Sequence, residues 1–75
     1  MDNPEKISAK LMLQLKEARL EQGLSHEMLA VAAKLDRSTI SLYESGHRIP
    51  TITSALRVAH ALNLSLSELL SQVEE

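Results

Sequence analysis

The polar and cationic residues between positions 37 and 45 are spaced so that they would share one face of a short helix. At 100° per residue, Ile40 and Tyr43 turn together toward a core. The opposite face carries Arg37, Ser38, Ser41, Leu42 and Ser45. An arginine there can bond guanine O6 and N7, serines can bond base edges or phosphates, and a leucine can pack on a thymine methyl group. The pattern predicts a helix that reads bases in the major groove; the alternative is that Arg37 is a solvated surface charge.

Residues 25–45 are predicted to form two short helices joined by a tight turn, an arrangement that would hold this face rigid. Ser25 and Asp36 are of the types that cap helix N-termini. Ala30 and Ala33 are small enough to let the two helices approach closely. The segment is therefore predicted to be a helix-turn-helix unit with its second helix presented to DNA.

An amphipathic first helix is predicted ahead of this unit. Asn3, Pro4 and Glu5 resemble a helix start, with an N-cap, a proline at the first helical position and an acid in the first turn. Gly23 ends the helix. The apolar stripe between them, at helical spacing, predicts a core face and consists of Ile7, Leu11, Leu15 and Ala18.

Two more helices are predicted after the unit. Thr51 caps a fourth helix that runs through Leu62, and Asn63 suits the left-handed position beyond its end. Ser65 and Glu68 form an S-x-x-E capping box for a fifth helix, from residue 66 to about residue 73. Residues 1–75 are therefore predicted to be a single all-α domain, a compact five-helix bundle without strands.

Composition narrows the function classes. The chain has 75 residues and no cysteine, so it has neither a disulfide framework nor a thiolate metal site. His26, His47 and His60 lack metal-ligand spacing, and no Gly-rich phosphate loop is present. We expect no catalysis, no metal, no cofactor and no small-molecule ligand. No apolar run approaches the ~20 residues of a membrane span, so a cytoplasmic protein that does not enter membranes is expected.

The distribution of charge matters more than the net charge of −2. Lys34, Arg37 and Arg48 lie within the helix-turn-helix region, whereas acid collects at the C-terminal end of the chain. The weak total charge predicts modest non-specific affinity for nucleic acid rather than an absence of binding.

Several separate matches resemble the Cro/cI-type (Xre) helix-turn-helix family, and together they cover about residues 11–70. Residues 23–25 resemble its G-L-S/T junction, and Ala30 matches its small residue at the helix crossing. Residues 37–41 resemble its R-S-T-I-S stretch, and Glu44 and Gly46 its E-x-G ending. Residues 50–56 and 59–70 resemble its fourth and fifth helices. The resemblance implies the lambda-repressor-like fold and a bacterial or phage-derived regulator.

The resemblance also implies roles for single residues. Arg37, Ser38 and Leu42 fall where family members contact base edges, with Ser41 as an additional contact. Expected phosphate contacts are His26, Thr39, Lys34, His47 and Arg48. For the histidines the alternative is a helix-start or solvated loop residue. Lys34 stands where the family often has glycine, and a left-handed conformation there would cost on the order of 1 kcal/mol.

Arg19 and Glu44 match family positions that form a structural ion pair between the first and third helices. If the pair is partly buried, losing either partner would leave an uncompensated charge. The alternative is two unrelated surface charges.

A homodimer on a palindromic operator, with half-sites about 34 Å apart, is the usual way for so small a domain to gain selectivity. The expected seam in the fifth helix consists of Leu66, Leu69, Leu70 and Val73; the alternative is that these residues close the monomer core. Leu13 and Leu20 are either stray apolar residues or a partner surface.

These observations predict a sequence-specific regulator of transcription that binds double-stranded DNA as a homodimer. The alternative is an antitoxin-like module that uses the same fold to hold a partner protein, with DNA binding secondary. Binding to a short palindromic duplex with steep salt dependence would separate the two.

Overall fold

Five α-helices follow one another along the chain in a computed structural model that describes residues 3–73. They are α1 (Pro4–Glu21), α2 (His26–Ala33), α3 (Arg37–Glu44), α4 (Ile52–Ala61) and α5 (Leu66–Val73). The described residues contain no strand. The predicted all-α five-helix architecture is confirmed. No helix between residues 3 and 73 combines the length and the apolar character needed to cross a bilayer.

Side-chain caps explain where most helices begin. Asn3 accepts a hydrogen bond from the Lys6 backbone N at 2.9 Å, and Ser25 accepts one from Met28 N at 3.0 Å. Thr51 caps α4 by accepting from Ser54 N at 3.1 Å. Each bond satisfies a first-turn N–H that has no partner within the helix. These three caps were predicted from the sequence and are confirmed.

The start of α3 differs in one detail from the expectation. Asp36 occupies the N-cap position with an extended backbone, but its side chain makes no capping hydrogen bond. Asp36 is therefore the N-cap residue, as predicted, but it does not form the side-chain hydrogen bond that a cap usually makes. Ser65, in contrast, accepts from Glu68 N at 3.4 Å, which is one half of the predicted capping box of α5.

The core is aliphatic and takes side chains from every helix. Its largest fully buried side chains are those of Leu15, Leu29, Ile40, Val58 and Leu62. Helix α2 packs against α3 and α4, while α1 packs against α5 and α3. The buried side of α3 is therefore enclosed by α1 and α2, and its position follows from theirs.

The fifth helix belongs largely to this core, which corrects the expected dimer seam. Leu66 and Val73 are 9% and 5% exposed, so both face the interior of their own chain. Leu69 and Leu70 are half-buried and pack against the same core. Leu66 and Val73 therefore close the core of the monomer, as the alternative interpretation of these residues stated, because the apolar face of α5 covers α1.

The turn between α2 and α3 depends on a left-handed residue. Lys34 has φ 59° and ψ 45°, and the following residue, Leu35, donates its N–H to the Ala30 carbonyl at 2.9 Å. Only three residues, 34–36, separate the two helices. The conformation expected for Lys34 is thus present, and its side chain is exposed.

Lys34→Gly is expected to raise the free energy of unfolding by about 1 kcal/mol, because glycine adopts a positive φ without the steric cost of Cβ. Asn63→Gly is the matched control. Asn63 also has φ 59°, but asparagine tolerates this region, so a smaller gain is expected. Urea denaturation of both variants measures the difference. A Lys34→Gly protein no more stable than wild type would contradict this account of the turn.

Candidate nucleic-acid interface

One face of α3 is open to solvent along its first two turns. Arg37, Ser38 and Ser41 are exposed, whereas Ile40 and Tyr43 are buried. Among residues 3–73, Arg37 has no hydrogen-bond or ion-pair partner, so its guanidinium is available to an external acceptor. The division into an inward and an outward face matches the sequence prediction.

Leu42 and Thr39 lie at the border between these two faces. Both are half-buried, so Leu42 is less solvated than the sequence suggested. Beyond Leu42 the chain folds back at the end of α3, where His47 N donates to the Leu42 carbonyl at 3.0 Å. Part of the Leu42 side chain remains accessible.

The far end of α3 is fastened to α1 by the predicted ion pair. Arg19 Nε donates to Glu44 Oε2 at 2.7 Å, and Arg19 Nη2 donates to Glu44 Oε1 at 3.0 Å. The remaining Arg19 nitrogen, Nη1, donates to the Leu24 carbonyl at 2.7 Å. The two side chains are only 8% and 6% exposed, so the contact is a buried bidentate pair rather than two surface charges.

His26 adds a third helix to this cluster, which the sequence analysis did not anticipate. Its Nε2 lies 3.0 Å from Glu44 Oε1, so α2 is joined to α3 through the same carboxylate. The side chain of His26 is 37% exposed, and its other ring nitrogen, Nδ1, has no hydrogen-bond partner among residues 3–73. The two residues are 18 positions apart, and no spacing rule relates positions on different helices.

The pKa of Glu44 reflects two opposing influences. Burial of the carboxyl group would raise its pKa, but hydrogen bonds from Arg19 and His26 and the positive charge of Arg19 lower it further than burial raises it. The net pKa lies below the ordinary value. The group is therefore an anion at neutral pH, as the bidentate contact with Arg19 requires.

An open hollow lies where α1, α2 and α3 meet. It is lined by Lys16, Arg19, His26, Ser41, Glu44 and Ser45. Ser41 belongs to the exposed face of α3, so the hollow adjoins that face. Lys16 was not among the predicted site residues. It could have been found as the residue one turn before Arg19 on the same side of α1.

Basic side chains flank α3 at both ends. Lys34 precedes the helix and Arg48 follows it, and both are exposed. Next to Arg48, the exposed His47 places its Nδ1 2.7 Å from Ser45 Oγ. Three of the residues predicted to contact phosphates therefore lie around the exposed face of α3: Lys34, His47 and Arg48. Within residues 3–73, no three His, Asp or Glu side chains form a group suited to a metal ion.

Comparison with known proteins agrees with this geometry. The family model for helix-turn-helix proteins matches residues 15–69. The chain belongs to the Cro/cI-type (Xre) helix-turn-helix family and is a DNA-binding transcriptional regulator. The resemblance seen in the sequence is confirmed. This family consists of regulators rather than enzymes.

Solved structures of restriction-modification controller proteins are similar to this chain over most of its length. The controller protein C.AhdI from Aeromonas hydrophila is 38% identical, with a TM-score of 0.76 over 81% of this chain and 92% of that one. A point mutant of the controller protein C.Esp1396I is 31% identical, with a TM-score of 0.82 over 91% of this chain and 88% of that one. No curated protein sequence matches the chain at the same level of significance.

Arg19→Ala is expected to lower the free energy of unfolding by about 3–5 kcal/mol, because it leaves the Glu44 carboxylate buried without its main partner. Arg57→Ala, which removes an exposed arginine from α4, is the control and should change stability by less than about 0.5 kcal/mol. Chemical denaturation followed by circular dichroism measures both. Equal stability of the two variants would show that the pair contributes little.

Proposed function

We propose that this regulator binds a palindromic operator as a homodimer, with α3 of each copy in the major groove. The observation that carries the proposal is the exposed Arg37–Ser38–Ser41 face of a helix whose other side is buried and whose end is held by Arg19 and His26 through Glu44. A recognition helix needs this combination of accessible donors and a fixed axis. Sequence identities of 31% and 38% to two controller proteins, over most of the length of each pair of chains, support a controller-type role at a restriction-modification locus.

Base recognition is assigned to the exposed face of α3. Arg37, in the first turn and without a partner among residues 3–73, is the residue suited to bidentate contact with guanine. Ser38 and Ser41 offer hydroxyls to base edges, and the accessible side of Leu42 can meet a thymine methyl group. Since α3 has neither Asn nor Gln, adenine is not read by a bidentate amide, and DNA shape contributes the remaining selectivity.

Backbone contacts are assigned to groups that surround this face. The N-terminal N–H groups of α2 and the exposed edge of His26 lie beside the hollow that adjoins Ser41. The other proposed phosphate contacts are Lys34, Thr39, His47 and Arg48. These contacts set the position of the protein on the duplex and make its affinity depend on salt concentration.

The proposed dimer seam lies in the α3–α4 connection rather than in α5. Ile49, Ile52 and Leu56 are exposed apolar residues, and Ile52 and Leu56 share a face of α4 because they are four positions apart. The second copy of the chain is the occupant we propose, since an isologous contact uses the same patch on both copies. The patch begins only five residues after Glu44, the last residue of α3. If the two-fold axis passes through this patch, a short stretch of chain connects the recognition helix of each copy to the dimer contact.

The dimensions of the molecule agree with this arrangement. Its extents are 34 × 23 × 20 Å. Half-sites one turn apart require the two copies of α3 to be about 34 Å from each other, and therefore about 17 Å from the axis. Two copies that meet beside the α3–α4 connection can satisfy this distance without a long linker.

Selection from a random duplex pool tests the proposed function directly. The wild-type protein should enrich a two-fold symmetric motif with half-sites about 10 base pairs apart. No enriched motif would overturn the proposal. Enrichment of a single, unrepeated half-site would overturn the homodimer and leave the reading face in place.

Arg37→Ala should weaken binding to the selected duplex by about 1–3 kcal/mol and relax base preference at one position of each half-site. Its melting temperature should stay near that of wild type, because Arg37 is exposed and makes no ion pair or hydrogen bond within the part of the chain that the structure describes. Arg48→Ala is the comparison, since loss of a phosphate contact should weaken binding to all sequences alike and reduce its salt dependence. Unchanged sequence preference in Arg37→Ala would show that the reading face is misassigned.

Ile52→Asp should shift the protein from dimer to monomer, because it places a charge at the centre of the apolar seam. Val31→Asp on α2 is the matched control, as Val31 is 75% exposed and Ile52 is 77% exposed. Sedimentation equilibrium measures the oligomeric state of each. A dimer broken by Val31→Asp and kept by Ile52→Asp would move the seam to α2.

A further inference from the structure

The two ring nitrogens of His26 face different surroundings, and this difference has a consequence for binding. Nε2 lies 3.0 Å from the Glu44 carboxylate, inside the cluster, while 37% of the side chain remains exposed. Building on the proposed function, we propose that His26 takes up a proton when the protein binds DNA, so that operator affinity is linked to pH. The anion that favours this protonation is a phosphate of the DNA backbone, bound at the hollow beside α2.

The hydrogen-bond chemistry of Glu44 determines which nitrogen carries the proton in the free protein. An ionised carboxylate only accepts hydrogen bonds, so Nε2 must be the donor in this contact. In a neutral ring the other nitrogen, Nδ1, then has a lone pair and no hydrogen. The free edge of His26 is an acceptor as long as the ring is neutral.

A phosphate oxygen is also an acceptor, so it cannot bond to a neutral His26 at that edge. Protonation removes the conflict, because an imidazolium donates from both nitrogens at once. Nε2–H would remain on Glu44 and Nδ1–H would point to the phosphate. Binding therefore favours the cation, and the proton comes from solvent.

The charged groups around His26 show how a phosphate would favour this protonation. From α1 the hollow receives the cations Lys16 and Arg19, and from α3 it receives the anion Glu44. On α2 itself, Glu27 is the adjacent residue. Arg19 already neutralises Glu44 through two hydrogen bonds, so a bound phosphate adds a negative charge to the hollow and thereby favours a second cation beside Arg19.

Calorimetry of binding to the selected duplex tests the proposal. At fixed pH near 7 and fixed salt, the heat of binding is measured in buffers with different enthalpies of ionisation, and its slope against that enthalpy gives the number of protons taken up. Wild type should take up as much as about one proton per protomer. Its affinity should fall as the pH rises, by as much as about tenfold per pH unit for each proton taken up.

His26→Gln separates the proton from the contact with Glu44. The glutamine amide can still donate to Glu44 but cannot become a cation, so proton uptake should disappear and the pH profile should flatten. His60→Gln is the matched control, because His60 is exposed on α4 and is not among the residues assigned to DNA contact. Since His60 shares a face of α4 with Ile52 and Leu56, the oligomeric state of this variant is checked first. Its proton uptake should equal that of wild type.

Proton uptake that persists in His26→Gln and disappears in His47→Gln would overturn the assignment, as would a wild-type protein that binds without uptake. In both cases the proposed function stands. Failure of wild type to bind any duplex would instead overturn the proposed function and this inference together. If His26→Gln does not fold, NMR titration of the His26 ring against pH in free and bound wild type decides, since proton uptake on binding requires the midpoint of this titration to lie at higher pH in the complex than in the free protein.

Discussion

The buried carboxylate of Glu44 is the feature on which the presentation of the reading helix depends. Glu44 is the last residue of α3, and its oxygens meet donors from Arg19 of α1 and His26 of α2. A buried charge is tolerated only when it is well paired. Displacement of any of the three helices would remove a partner from the Glu44 carboxylate and would therefore cost a large amount of free energy. The orientation of α3 is therefore coupled to the rest of the bundle.

This coupling matters because α3 is too short to be stable alone. It has eight residues, and isolated helices of that length do not persist in water. Burial of Ile40 and Tyr43 holds one face against α1 and α2, and the Glu44 cluster holds the C-terminal end. What remains exposed is a rigid row of side chains, which suits recognition because little conformational entropy is lost when it meets a groove.

The same cluster joins structural and functional roles in one place. Arg19 is fully engaged with Glu44 and Leu24, and its contribution is to position α3. His26 differs, because it is partly exposed beside Ser41 and the hollow between three helices. Because His26 contacts Glu44 and also lies at the proposed DNA surface, DNA binding at that surface can alter the interactions of the Glu44 cluster. The family resemblance alone did not suggest this link.

The local features of this protein were determined by its sequence. Caps at Asn3, Ser25 and Thr51, the left-handed turn at Asn63 and the two faces of α3 all follow from interactions within a few residues. Such interactions are legible in residue type and spacing. The contact of Arg19 with Glu44 was predicted only because the family pattern pairs those positions.

Tertiary structure alone decided the features that involve distant parts of the chain. It brought His26 to Glu44, placed Lys16 at the edge of the hollow, covered part of Leu42 and turned Leu66 and Val73 into the core. The physical reason is that periodicity shows which residues of a helix share a face but not which other helix that face meets. Whether an apolar face closes the monomer or stays open for a partner depends on how much of it the other helices cover.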